Sequence, residues 1–141
     1  MELEMDQPVA RKILIVDDDL LMHRLLRHHL ERAGFISLHA TCGREALDLA
    51  FEEQPHVVVL DVMMEDMDGI SALKELRKNP NTRATPVIMI TATTLDIARH
   101  ESKLLGAMQY MTKPFSPAQL LATISKVLGP STAAPSGSQA C

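Results

Sequence analysis

A few polar residues stand where short apolar runs end, and their types suit the handling of a phosphoryl group. His56-Val57-Val58-Val59-Leu60 stops at Asp61, and Ile13-Leu14-Ile15-Val16 stops at Asp17-Asp18-Asp19. Pro86-Val87-Ile88-Met89-Ile90 closes on Thr91, and Met108 to Met111 leads into Thr112-Lys113-Pro114-Phe115. Continuous apolar runs read as strands buried on both faces, and the C-terminal ends of parallel strands share one edge of their sheet. Asp17, Asp18, Asp61, Thr91 and Lys113 can therefore converge. Carboxylates so close repel one another, and they stay ionised only beside a cation or with raised pKa values. An oxygen-only site of few carboxylates, completed by a backbone carbonyl and waters, suits octahedral Mg²⁺, or Mn²⁺ in its place, better than zinc. A divalent ion would let a dianionic phosphoryl group approach this acidic edge, since phosphoryl transfer depends chiefly on positioning and on neutralising oxygen charge. Asp61 is then the nucleophile that forms an aspartyl phosphate. Lys113 holds a second phosphoryl oxygen as a point charge, and the Thr91 hydroxyl holds a third as a donor.

Taken singly, each residue has an ordinary explanation. Asp17-Asp18-Asp19 alone reads as an acid cluster capping a helix and favoured by its dipole, with Asp19 the capping member. Lys113 alone reads as a solvated lysine, and Thr91 alone as a strand-end hydroxyl bonded to backbone. The spacing of the whole set gives them their weight.

The elements that must position this set alternate along the chain. After a polar lead over 1–11 and the strand Lys12–Val16 comes a helix with Met22, Leu25, Leu26, Leu30 and Ala33 at helical spacing, stopped by Gly34. Phe35–Ala40 reads as a less buried strand, and Arg44–Glu53 as a helix turning Ala46, Leu47, Leu49 and Ala50 inward until Pro55 ends it. Ile70, Leu73 and Leu76 mark the next helix, broken at Asn79-Pro80-Asn81. A further helix is expected over Leu95–Leu105, ended by Gly106. Ser116-Pro117 then makes an N-cap and first helical position for a last helix burying Leu120, Leu121, Ile124, Val127 and Leu128. Five strands alternating with five helices imply an α/β fold of parallel βαβ units with right-handed crossovers. The 129–141 stretch, GPSTAAPSGSQAC, is too small and polar to order itself, and reads as a tail or truncated linker.

Composition narrows the function classes. The chain has 141 residues, 46% of them hydrophobic, as expected for one globular unit, and a formal net charge of -4. With no overall basic field, nonspecific nucleic-acid binding by this segment is not expected. The N-terminus lacks an apolar signal core, and no apolar run approaches the roughly 18 residues of a membrane span, so a cytoplasmic location is expected. Cys42 and Cys141 show no metal-ligand spacing and read as ordinary thiols.

From Lys12 to Leu128 the chain resembles the receiver domain of bacterial two-component response regulators. The landmarks are Val16-Asp17-Asp18-Asp19, Leu60-Asp61 with Met67-Asp68-Gly69, Thr91-Ala92, and Lys113-Pro114-Phe115. The resemblance implies a flavodoxin-like, doubly wound (βα)5 fold with a five-stranded parallel sheet in order 2-1-3-4-5. It implies that Asp61 takes its phosphoryl group from a histidine of a sensor kinase or a histidine phosphotransfer protein, with Asp17, Asp18, Asp61 and the Met63 backbone carbonyl around Mg²⁺. Thr91 and Tyr110 would be the switch residues, and Lys113–Pro114 a cis peptide. The implied role is phosphoacceptor signalling rather than enzymatic turnover, directed at a downstream protein, a C-terminal output domain or a homodimer partner.

Some positions depart from the family's pattern. Glu65 stands where proline is usual in the loop after the phosphoacceptor, replacing a φ restraint with a charge. Slower reaction with small anionic donors follows, and equal acetyl phosphate rates for the wild type and Glu65→Pro would remove that expectation. Met108-Gln109 replaces a common acidic pair before Tyr110, and Met63 and Thr93 occupy positions that tune dephosphorylation in the family. His23, His28 and His29 with Arg24, Arg27 and Arg32 read as a solvated basic side of the first helix, or as part of a kinase-docking surface. Met63, Met64 and Met67 read as loop packing.

Other functions fit less well. A haloacid-dehalogenase-type hydrolase needs a second acid two residues after its nucleophile, where this chain has Met63. A flavin-binding module needs a Ser/Thr/Gly-rich phosphate loop after the first strand, where Asp17-Asp18-Asp19 would repel the phosphate. A pseudo-receiver acting by phosphorylation-independent contacts remains the alternative.

Overall fold

A computed structural model of the chain describes residues 10–63, 67–91 and 106–129. In chain order the elements are β1 (Lys12–Val16), α1 (Leu20–Arg32), β2 (Ile36–Ala40), α2 (Gly43–Glu53), β3 (Val57–Asp61), α3 (Gly69–Lys78), β4 (Val87–Thr91), β5 (Gln109–Thr112) and α4 (Pro117–Leu128). The strands form one parallel sheet in the order β2-β1-β3-β4-β5. The expected Leu95–Leu105 helix, Glu65, Thr93 and most of the tail lie outside the described residues.

The apolar runs of β1, β3 and β4 are explained by a sheet covered on both sides. Side chains alternate between faces along a strand, so each run divides into two sets. Leu14, Val16, Val58, Leu60, Val87 and Met89 pack with Ala46 and Ala50 of α2 and with Ile70, Leu73 and Leu76 of α3. Ile13, Ile15, Val57, Val59, Ile88 and Ile90 pack on the other face with Leu26 and Leu30 of α1 and with Leu120 and Ile124 of α4. The edge strands β2 and β5 are less buried.

Helix boundaries follow local chemistry. Asp19 caps α1, accepting from the backbone N–H groups of Leu21 and Met22, and Gly34 beyond it has φ +93°. The buried stripe of α1 is His23, Leu26 and Leu30. This corrects the sequence expectation, which placed Leu25 inward and His23 in solvent. Leu25 lies one position, about 100°, round the helix from the stripe, and is 50% exposed. α2 ends at Gln54, which takes the left-handed conformation at φ 48° one residue before Pro55. α4 opens on a full capping box: Gln119 N–H donates to Ser116 Oγ, and Ser116 N–H donates back to Gln119 Oε1. β5 runs over Gln109–Thr112 rather than Met108–Met111, because its ladder pairs Gln109 with Ile88 and Thr112 with Thr91.

Candidate functional site

The C-terminal sheet edge carries the candidate residues. Asp61 is the last residue of β3 and Thr91 the last of β4, while Asp17 and Lys113 each follow the end of a strand, β1 and β5. Asp61 pairs with Ile90 across the β3–β4 ladder, so Thr91 stands one step beyond it on the neighbouring strand. Lys113 N–H donates to the Thr91 carbonyl at 2.8 Å, tying the β5 exit to the β4 end. The Lys113–Pro114 peptide bond is cis.

Lys113 joins the acids. Its Nζ lies 2.9 Å from Asp17 Oδ2 and 3.2 Å from Asp61 Oδ2. Asp17 and Asp61 are 2% and 4% exposed, so this ammonium is a counter-charge to two carboxylates almost withdrawn from water. Asp18 is exposed, yet it offers a carboxylate oxygen to a group with Asp17 and Asp61 whose ligand atoms all lie within 4.8 Å of one another. The donor set is oxygen alone, compatible with a hard cation such as Mg²⁺.

Electrostatics at the edge follow from this crowding. Burial pushes the Asp61 carboxyl above the ordinary aspartate range and the Asp17 charge adds to the rise, against hydrogen bonds from the Met63 N–H and Lys113. Burial pulls Lys113 down, but the Asp17 and Asp61 carboxylates outweigh it and hold the ammonium above the usual lysine value.

The loop after β3 is held close to the acid it serves. Met63 N–H donates to Asp61 Oδ1 at 3.1 Å, and Gly69 N–H donates to the Val62 carbonyl at 2.8 Å. A Cβ at Gly69 would sit 2.4 Å from the Asp61 carbonyl oxygen and 2.8 Å from Val62 Cα, so the start of α3 packs against the strand end only because this residue has no side chain. Asp68 caps that helix through Ser71 N–H at 2.7 Å. In sequence Gly69 reads only as the end of a loop; the apolar period beginning at Ile70 is the signal that α3 starts on the glycine.

Tyr110 is half-buried on β5, opposite Met89, and packs against the α2–α3 side of the core. Beside the acidic edge, Leu20, Leu21 and Leu25 of α1 are 65%, 73% and 50% exposed. Leu21 and Leu25 line a shallow groove with Phe115 and Pro117. The expected basic side of α1 therefore neighbours an apolar one, and His23 belongs to neither. Its imidazole is buried under the Asp17 turn, an acceptor that sequence spacing cannot show.

The sequence model of the response regulator receiver domain matches residues 13–125. Among relatives, a protein described as the alkaline phosphatase synthesis transcriptional regulatory protein PhoP of Bacillus subtilis is 42% identical over 118 residues, 84% of this chain and 48% of its own length. The probable transcriptional regulator ycf27 of Guillardia theta is 41% identical over 127 residues, 89% of this chain and 48% of its own. The chain thus spans about half the length of these curated relatives. Among solved structures, the chemotaxis protein CheY4 of Vibrio cholerae superposes with a TM-score of 0.81 at 35% identity, covering 85% of this chain and 100% of that one. A CheY-like receiver domain protein from Methanospirillum hungatei superposes with a TM-score of 0.80 at 28% identity, covering 85% and 94%. With the 2-1-3-4-5 parallel sheet and the acids gathered at its C-terminal edge, these matches establish that the chain belongs to the response regulator receiver domain family of two-component signalling.

Proposed function

We propose that Asp61 is the phosphoacceptor of a switch spanning residues 12–128, loaded by a phosphohistidine of a sensor histidine kinase or a histidine phosphotransfer protein. The observation that carries this reading is the Lys113 ammonium set between the Asp17 and Asp61 carboxylates, with Asp18 near enough to share an ion with both. Asp17, Asp18, Asp61 and the Met63 backbone carbonyl would hold Mg²⁺, or Mn²⁺ in its place, which when bound neutralises charge on the phosphoryl oxygens.

In the transfer, an Asp61 carboxylate oxygen attacks phosphorus; the new P–O bond forms as the P–N bond breaks, and the ring, already protonated on its other nitrogen, leaves with the electron pair as neutral imidazole. Lys113 gives up part of its hold on Asp61 and takes a phosphoryl oxygen. The Thr91 hydroxyl turns in to donate to another, and Tyr110 moves with it, changing the face made by β5 and α4. Reversal is hydrolytic: water attacks phosphorus, the P–O bond to Asp61 breaks, and inorganic phosphate departs as the carboxylate is restored. The exposed leucines of α1 beside this edge offer an apolar face on which the histidine-bearing partner would dock. The output is a protein contact, through a downstream partner, an attached output domain or a homodimer, at a cytoplasmic location.

Phosphoramidate tests the reading, since its P–N bond resembles that of phosphohistidine. Incubation with Mg²⁺ is expected to give a slower species on a phosphate-binding gel, lost with EDTA and in Asp61→Ala. No such species from a folded protein, with this donor or a phosphorylated kinase, would favour the pseudo-receiver.

A further inference from the structure

Beneath the acidic turn runs a chain of polar side chains that the chemistry above does not use. His23, near the start of α1, is 5% exposed, and its Nε2 lies 2.6 Å from the backbone carbonyl oxygen of Asp17. Its Nδ1 lies 2.6 Å from Nδ1 of His39 on β2, whose Nε2 meets the Ser37 hydroxyl. A carbonyl oxygen only accepts, so His23 Nε2 carries a proton and donates it. When both rings are neutral the remaining directions follow: His39 Nδ1–H donates to His23 Nδ1, and the Ser37 hydroxyl donates to His39 Nε2. Burial, then the His23 and Arg27 neighbours, lower the His39 pKa from 6.5 to about 4, which keeps that ring neutral. The chain runs one way, from Ser37 through two imidazoles into the turn.

Every polar atom of Asp17 is tied. Its N–H donates to the Ala40 carbonyl at 3.1 Å, its Oδ1 accepts from Asp19 N–H at 2.9 Å, its Oδ2 from Lys113 at 2.9 Å, and its carbonyl from His23. The carbonyl direction sets the plane of the Asp17–Asp18 peptide, and with it the direction in which Asp18 leaves the strand.

We propose that His23 is a positioning residue for the metal-holding turn: its Nε2–H, in the tautomer set by His39 and Ser37, orients the Asp17–Asp18 peptide so that both carboxylates serve one ion. This rests on reading Asp17, Asp18 and Asp61 as Mg²⁺ ligands.

The test is calorimetric Mg²⁺ binding to the metal-free full chain as wild type, His23→Leu and His23→Gln, with folding checked by circular dichroism. Leucine fills the space but neither donates nor accepts, whereas glutamine can donate from Nε2 and accept from His39 on Oε1. Partners that orient metal ligands typically change affinity by about 10–100-fold, so His23→Leu is expected to bind roughly tenfold more weakly and His23→Gln within about threefold of wild type. Nitrogen-15 spectra should show His23 protonated at Nε2 and His39 at Nδ1. Wild-type affinity in His23→Leu, glutamine failing like leucine, or an unprotonated His23 Nε2 would overturn the positioning role alone. A wild-type chain that does not bind Mg²⁺ would overturn the metal reading and this role with it. Should His23→Leu not fold, His39→Leu leaves His23 in place and frees its tautomer; weaker Mg²⁺ binding supports the chain, and unchanged binding contradicts it.

Discussion

At the scale of the residue, the site is a problem of charge placement. Asp61 is buried beside Asp17, and its carboxyl titrates above the ordinary aspartate value of 3.8. Between that value and the raised one, the native state holds a proton that the unfolded chain has released. Stability from this group therefore falls as pH rises through the window, and ionised Asp61 is a cost at neutral pH. Asp61→Asn should stabilise the metal-free protein by about 1 kcal/mol, the usual scale of relief at a destabilised functional site. A urea midpoint at pH 7 checks this, and a lower midpoint for the variant would count against it. Excess Mg²⁺ should raise the wild-type midpoint and leave the variant nearly unmoved. Lys113 has the same slope in a different window: its pKa is raised above 10.5, so its contribution is complete below that value and lost as pH climbs through the raised one, which makes ionised Lys113 a gain at neutral pH where ionised Asp61 is a cost. Asp17, Asp61 and Lys113 are legible in sequence because each stands where an apolar run stops. His23 is not, since a histidine among arginines on a helix gives no sign of the backbone carbonyl above it.

At the scale of the element, two joints hold the edge in shape. The first is Gly69, where α3 begins against the Asp61 carbonyl. Gly69→Ala forces a methyl group into that contact and should cost about 1–3 kcal/mol, the range for overpacking a tight site. Because the strain falls on the loop after Asp61, acetyl phosphate labelling at a temperature where the variant remains folded should also slow. A variant with unchanged stability and rate would contradict the close approach. The second joint is Arg77 near the end of α3. Its Nη1 donates to the carbonyls of Thr82, Arg83 and Thr85, and its Nη2 to the carbonyl of Gly106 at 3.1 Å, joining the α3–β4 connection to the approach to β5. A hydrogen bond to a charged group contributes about 1.5–3 kcal/mol, but three of these share the two protons of one Nη1 and water reaches most of the carbonyls once the side chain is gone, so Arg77→Ala should lose at least about 2 kcal/mol, with faster amide exchange at Thr85 and Met108. Neither joint is visible in spacing alone. The strands are, because runs such as Val57–Leu60 must be buried on both faces, whereas the β5 boundary depends on a ladder with β4 that no local pattern records. The α1 stripe reads one leucine too wide for a related reason: leucines at 25 and 26 both suit a helical period, and packing against the sheet takes Leu26 and leaves Leu25 out.

At the scale of the whole molecule, a parallel sheet gathers residues distant in sequence at one edge while its remaining surface is free to carry specificity. The formal net charge of -4 gives this chain no overall basic field, the electrostatic footprint on which nonspecific nucleic-acid binding rests. Among the described residues, no helix is long and apolar enough to cross a membrane. The proposed switch depends on one covalent event, a phosphoryl group on the Asp61 carboxylate. The most direct measurement is peptide mapping after loading with acetyl phosphate and Mg²⁺ and then reducing with borohydride, which converts an aspartyl phosphate to homoserine. Homoserine is expected at position 61 alone, dependent on Mg²⁺ and absent from Asp61→Asn. Homoserine at Asp17 or Asp18, or labelling that persists in Asp61→Asn, would contradict the switch.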